Sequence, residues 1–386
     1  NSLGDKSFST EAFNRAGLLC SCIMHPTTTK VFLRQKHLVQ TICNLMQTTH
    51  KAVLQMTLEM ACRIFHGYTS DVEEELRDEF MDQEGIKILL QSTIEKILPT
   101  DAPTTTILNA LTICCCFAPT VESRKHLYKA RGQLFGILED FLAKDEHNLN
   151  YPMIKPFIER LCYIAWSVGT AINENCHGNY HSSDIEFGVT MSKVVLSSSV
   201  FHVHKIPGAH MYLLLCMMDL IKVPEFAKAI CSNGDFIEEM KTGGFEKPLN
   251  VEHPTITPSQ LAEAHMIILA SIAQHDRKLG LREVLLKHGA RRTLIDLCTI
   301  QIVDTIEKPM DSFTLHLMSF SVSLLCDCSF KIMRREQDFV DITDVIEIFL
   351  FKTTDPMIQM NALLSMYNMG RAPASPMLGT ITNNDT

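Results

Sequence analysis

Apolar side chains recur along this chain at intervals of three and four residues, the spacing that gathers them on one face of an α-helix. The pattern is densest over 11–24, 53–65, 105–117, 153–168, 211–223, 259–274, 313–328 and 357–369. Between these lie helical stretches with more polar positions, at 32–46, 85–97, 132–143, 185–196, 236–240, 283–299 and 339–351. Two kinds of helix therefore alternate, and the starts of the apolar kind are spaced by about 40 to 60 residues, the period of a helical repeat array.

The junctions repeat as well. The phrases Asp82-Gln83-Glu84-Gly85-Ile86, Lys129-Ala130-Arg131-Gly132-Gln133, Ser232-Asn233-Gly234-Asp235-Phe236 and Lys287-His288-Gly289-Ala290-Arg291 each set a Gly ahead of an apolar stretch. Gly at such a point is expected to take a positive φ and turn the chain between two helices. Two segments break the periodicity. Residues 172–188 carry Asn173, Asn175, Gly178, Asn179, Ser182 and Ser183, and 241–258 carry Gly243, Gly244, Pro248, Pro254 and Pro258. Both read as loops inserted in the array. The stretch 371–386, with Pro373, Pro376, Asn383 and Asn384, reads as a disordered tail.

Two phrases resemble a known family. Val284-Leu-Leu-Lys-His-Gly289-Ala-Arg-Arg-Thr-Leu294-Ile-Asp-Leu297 is similar to the second-helix entry of armadillo-repeat proteins, and Met357-Ile-Gln-Met-Asn-Ala362-Leu-Leu-Ser-Met-Tyr-Asn368-Met to their third helix. The resemblance spans roughly residues 8 to 370. It implies an all-α fold, a right-handed superhelical α-solenoid of about seven or eight armadillo-like units with insertions at 172–188 and 241–258. It also implies a groove lined by third helices. At the positions where import-receptor relatives carry a ladder of Asn, this chain has Arg63, Cys115, Tyr163, Ser271, Asp327 and Asn368. That departure points away from a nuclear-import receptor. The short first helix of each unit is hard to find, which allows two-helix, HEAT-like units in the array.

Composition narrows the picture. Apolar residues make up 46 % and aromatics 7 %, with one Trp, 20 Met and 14 Cys, a balance suited to helices rather than sheets. Lys and Arg total 35 against 44 Asp and Glu, so the net charge of −9 disfavours a broad nucleic-acid surface. The apolar run 211–218 closes at Asp219, far short of the ~20 residues a bilayer span needs. Cys20, Cys62, Cys114, Cys162, Cys216 and Cys326 fall within apolar helical patterns, where reduced Cys acts as a small buried hydrophobe. A reducing compartment, the cytoplasm, is expected. The chain opens on Asn1 with no secretory signal before Phe8, which suits a fragment or a processed chain.

Chemistry is sparse. Cys114-Cys115-Cys116 lies late in an apolar helix, its side chains about 100° apart, so it forms neither a ligand fork nor a redox pair. Cys176, His177, His181, His202, His204 and His210 supply zinc-type ligands but no paired Cys-x-x-Cys or His-Glu-x-x-His. No phosphate loop and no Gly-x-Ser-x-Gly elbow is present. Neither a cofactor nor a metal is expected. The acidic run Glu73-Glu74-Glu75 reads as the opening of an exposed helix.

The expected function is thus a non-catalytic protein-binding scaffold or adaptor, presenting a groove to an extended peptide or a helix of another protein. Its candidate residues are Arg63, Tyr163, Trp166, Ser271, Asp327 and Asn368. The alternatives are an armadillo regulatory segment of a larger enzyme, or an enzyme that uses the Cys176/His177 region.

Overall fold

The apolar stretches 53–65, 105–117, 153–168, 211–221 and 259–274 fold as helices because their core-facing side chains stack every turn. The computed structural model describes residues 14, 17–18, 21, 33–48, 50–67, 71–92, 104–144, 154–175, 181–196, 206–231, 233–243, 256–275, 346–347, 350–351 and 356–370. They form thirteen helices and no strand. No helix among them is long and apolar enough to cross a membrane. The chain divides into two compact units, Asn1–His177 and Gly178–Thr386.

The first unit contains α1 (Leu38–Met46), α2 (Lys51–Gly67), α3 (Asp71–Asp82), α4 (Gly85–Gln91), α5 (Thr104–Phe117), α6 (Val121–Lys144) and α7 (Ile154–Asn175). Helix α2 packs on α5 and α5 on α7, forming one layer; α1 packs on α4 and α4 on α6, forming a second. The layers meet pairwise, α1 on α2, α4 on α5 and α6 on α7. Helix α3 brings Phe80 between Phe65 of α2 and Phe117 of α5, the three ring centroids 4.8–5.1 Å apart. All three rings are buried, and such tilted and edge-on pairs add to the transfer free energy of burial. Between α1 and α4, the Ser92 hydroxyl donates to the Met46 carbonyl at 2.6 Å, satisfying an end carbonyl of α1.

The second unit contains α8 (Ser182–Leu196), α9 (Pro207–Ile221), α10 (Pro224–Cys231), α11 (Gly234–Lys241), α12 (Pro258–His275) and α13 (Pro356–Gly370). Its caps are legible in the residues. Asn233 accepts from the Phe236 N–H at 3.2 Å, and Thr257 and Gln260 bond reciprocally at the start of α12, a Thr-x-x-Gln capping box. Pro207, Pro224 and Pro258 stand at helix starts, where the missing N–H costs nothing. Helix α9 is buried on every side except at Tyr212.

One scheme recurs. In the first unit α2 contacts α5, α1 contacts α4, and the short α3 sits against α1, α2 and α4; in the second, α9 contacts α12, α8 contacts α11, and the short α10 sits against α8, α9 and α11. The apolar pattern alone does not reveal the short helices α3 and α10.

Several expectations change. Gly132 makes no junction: α6 runs through it from Val121 to Lys144, and a Cβ there would meet nothing within 4 Å. At Gly85 the left-handed residue is instead Glu84, with φ 52°. Gly85 is required by space, since a Cβ would lie 2.5 Å from the Phe80 ring. The loop read over 172–188 is shorter, because α7 continues to Asn175 and α8 begins at Ser182. The loop over 241–258 narrows too: helical backbone continues through Gly243, and Pro258 opens α12. Gly289, the helices expected at 283–299 and 313–328, and the tail 371–386 lie outside the described residues.

Candidate functional site

Helices α2, α5 and α7 share a face whose side chains are only partly covered. On α2 the stripe is Glu59, Cys62, Arg63 and His66, and on α7 it is Glu159, Arg160, Tyr163 and Trp166, each at helical spacing. Helix α5 lies between and contributes Cys115 and Cys116. Two contacts join the stripes. The Cys115 thiol donates to the Arg160 carbonyl at 3.6 Å, and Cys116 Sγ lies 3.9 Å from His66 Nδ1. Tyr163 and Trp166 meet edge to face, centroids 5.7 Å apart. Arg63 is exposed and pairs with Glu59 at 3.0 Å.

The thiols are poor nucleophiles. Burial pushes Cys62 up to about 11 and Cys114 up to about 12, and it raises Cys116 although Arg77 and Arg160 pull the other way. Burial, then Arg160, then Arg77 hold His66 below its ordinary value, so the imidazole is neutral at pH 7. A neutral thiol beside a neutral imidazole is not an activated Cys-His pair. Burial lifts the Tyr163 phenol to about 12, leaving it a hydroxyl donor. Chemically, the face offers hydrogen-bond donors, two stacked aromatics and positive charge.

The positive charge is the part sequence reasoning missed. Arg160 on α7 and Arg77 on α3 both act on His66 and Cys116, and the Nε atom of each is buried with no acceptor among the described residues. Arg77 Nη2 donates to the Phe65 carbonyl at 2.9 Å. The available signal was an Arg set inside an apolar helical phrase, Phe157-Ile-Glu-Arg160-Leu-Cys.

The expected groove residues separate. Arg63, Tyr163 and Trp166 lie together on this face. Ser271 does not: it is buried in α12, its hydroxyl donating to the Ile267 carbonyl one turn back at 2.9 Å, because the face of α12 chosen by repeat register is covered. Of Asn368 only the backbone, within α13, is described, and Asp327 lies outside the described residues. So do Cys176, His177, His202 and His204. Of the remaining zinc-type ligands, His181 stands just before α8, its backbone N–H donating to the Asp184 carboxylate at 3.2 Å, while His210 is buried in α9. No group of three His, Cys, Asp or Glu among the described residues is arranged to hold a metal ion.

A second depression, a cleft of about 600 Å³ between α3, α4 and α6, is lined by Met81, Glu84, Lys87, Gln91, His126 and Gln133 among others. Its two carboxylates are already matched, Glu84 by Lys87 at 2.7 Å and Glu122 by Lys125 at 2.9 Å.

No protein-family model matches the chain, and no curated protein matches it. Among solved structures, a crystal structure of an engineered protein aligns over 94 % of this chain and 95 % of its own at 12 % identity and TM-score 0.30. A second engineered protein aligns over 86 % and 95 % at 13 % identity and TM-score 0.26. Likeness at that level carries no argument about fold family or function.

Proposed function

We propose that this chain is a helical-repeat scaffold of the armadillo type whose α2–α5–α7 face receives a peptide or a helix of a partner protein. The recurrence of one helix scheme in both units supports the repeat reading, and the third helices of that scheme would line a right-handed solenoid. The observation that carries the binding role is the shared face itself. The stripes on α2 and α7, with Cys115 and Cys116 of α5 between them, bring Arg63, His66, Cys116, Tyr163 and Trp166 onto one face beside buried apolar residues of the same helices. A half-covered Tyr-Trp pair among donors is the composition of a protein-interaction hot spot.

Trp166 is the chain's one Trp, so its emission reports on this face alone. Peptides selected from a displayed random library on the purified protein are expected to shift that emission. Trp166→Phe is expected to retain the melting temperature, and Trp166→Ala to weaken the selected peptides by about 1–2 kcal/mol. Selected peptides that bind without moving Trp166 emission, and that bind Trp166→Ala as well as the native chain, overturn the reading.

A further inference from the structure

Two arginines approach one end of the α2–α5–α7 face from different helices. Arg77 comes from α3, anchored by its bond to the Phe65 carbonyl, and Arg160 from α7, anchored through its own carbonyl by the Cys115 thiol. Both guanidinium groups lie near the Cys116–His66 contact. No described carboxylate pairs with either, and each has a buried Nε with no acceptor among the described residues. The acids nearest in sequence along the stripes are Glu59, which is taken by Arg63, and Glu159. The buried Nε atoms are closed to a ligand, so the Nη groups are what an oxyanion would meet, and of these only Arg77 Nη2 has a described acceptor. The surrounding groups fit that role. Neutral thiols, a neutral imidazole and a phenol bring no competing negative charge. Two cations beside Cys62, His66 and Cys116 also disfavour a metal ion there.

From this juxtaposition we infer that Arg77 and Arg160 form an oxyanion site that takes the acidic side chain of a peptide bound on the α2–α5–α7 face. The assignment rests on the binding role proposed above. A guanidinium fork is suited to carboxylate and to phosphate alike, so the anion comes from Asp or Glu or from a phosphorylated residue of the peptide. Within a chain of net charge −9, this is a local reversal of sign that selects for an acidic partner.

Two experiments test it. In the first, the native chain is alkylated with iodoacetamide in chloride and in inorganic phosphate at equal ionic strength, and Cys116 modification is followed by peptide mapping. Phosphate is expected to slow Cys116 by about fivefold, as an anion held by two guanidinium groups covers it. That protection should vanish in the Arg77→Gln/Arg160→Gln double variant. Equal rates in the two salts overturn the anion site, and this comparison needs no variant to fold.

In the second, peptides selected on the native chain that shift Trp166 emission are resynthesised with their acidic residue as Glu, Gln or phosphoserine. Glu or phosphoserine is expected to bind about tenfold tighter than Gln, and whichever is tighter names the anion's source. Trp166-shifting peptides that bind equally well with Gln overturn the acidic assignment and leave the scaffold reading standing. Failure to select any Trp166-shifting peptide overturns both. Arg160→Lys keeps the charge without the fork and is expected to fall between the native chain and the double variant.

Discussion

The helices α1–α5 of the first unit and α8–α12 of the second follow one contact scheme but expose different chemistry. In the first, the long helices α2 and α5 leave a face open that carries Arg63, His66 and Cys116. In the second, the corresponding α9 is buried nearly all round and α12 is buried through its centre. There the polar groups meet one another. His265 Nδ1–H donates to the Leu261 carbonyl at 2.6 Å, which leaves its Nε2 to accept from His210 Nε2–H at 3.3 Å. A repeat scheme therefore decides which helices touch, and the residues on each helix decide whether its outward stripe becomes a surface or a second core.

The largest way to break this comparison is to place a charge on matching helices. Leu214 is fully buried in α9, so Leu214→Asp is expected to cost more than about 4 kcal/mol, because an unpaired carboxylate is stranded in apolar surroundings. Arg63→Asp on the open face of α2 is expected to cost less than about 1 kcal/mol, the worth of an exposed ion pair and the repulsion from Glu59. Urea unfolding of both variants reads the difference. Similar losses would mean that the two helices are equally covered.

Next in size is the acid response of α12. Burial lowers His265 from 6.5 to about 4, so between those values the unfolded chain holds a proton that the native one refuses. That contribution is present above pH 6.5 and is lost as the pH falls, at up to about 1.4 kcal/mol per pH unit. Burial raises Glu263 on the same helix from 4.5 to about 7, so the native chain holds the extra proton there, and stability is lost as the pH rises through that window. Between pH 4.5 and 6.5 the two slopes oppose each other. The native protein should show a nearly flat stability profile there, while Glu263→Gln should show stability falling as pH falls. A flat profile in Glu263→Gln would mean that the histidine pair is hydrated.

Two glycines give the smallest contrast. Gly85→Ala drives a methyl into the Phe80 ring and is expected to cost about 1–3 kcal/mol. Gly132→Ala fills open space within a continuous helix and is expected to stabilise by about 0.5–1 kcal/mol. Melting shifts of the same sign would return Gly132 to the role of a turn.

These glycines show what a single sequence can and cannot convey. Helical class and the long helices α2, α5, α7, α9 and α12 were legible because each repeats apolar residues over three or more turns. The short helices α3 and α10 were not. In α3 the described core residues are Leu76 and Phe80 alone, set among Asp and Glu, too few to announce a period. The glycine phrases looked alike, yet Gly85 answers a ring from another helix and Gly132 answers nothing, a difference made by tertiary packing. For the same reason the residues that repeat register selects divide, Arg63, Tyr163 and Trp166 lying on a part-covered face and Ser271 in the buried centre of α12, while register passes over Arg77 and Arg160. Register places a residue on a helix face, and only packing tells whether that face is covered.

The open face of the first unit and the closed helix of the second are most directly separated by thiol footprinting. Cys116 lies on the first and Cys216 in the second, both as free thiols. Alkylation rates in the native protein, each divided by the rate of the same cysteine in urea, remove differences in intrinsic reactivity. Cys116 is expected to react at least about tenfold faster than Cys216, whose modification should wait for unfolding. Equal protection of the two thiols, or faster reaction at Cys216, would contradict an open α2–α5–α7 face and with it the proposed binding surface.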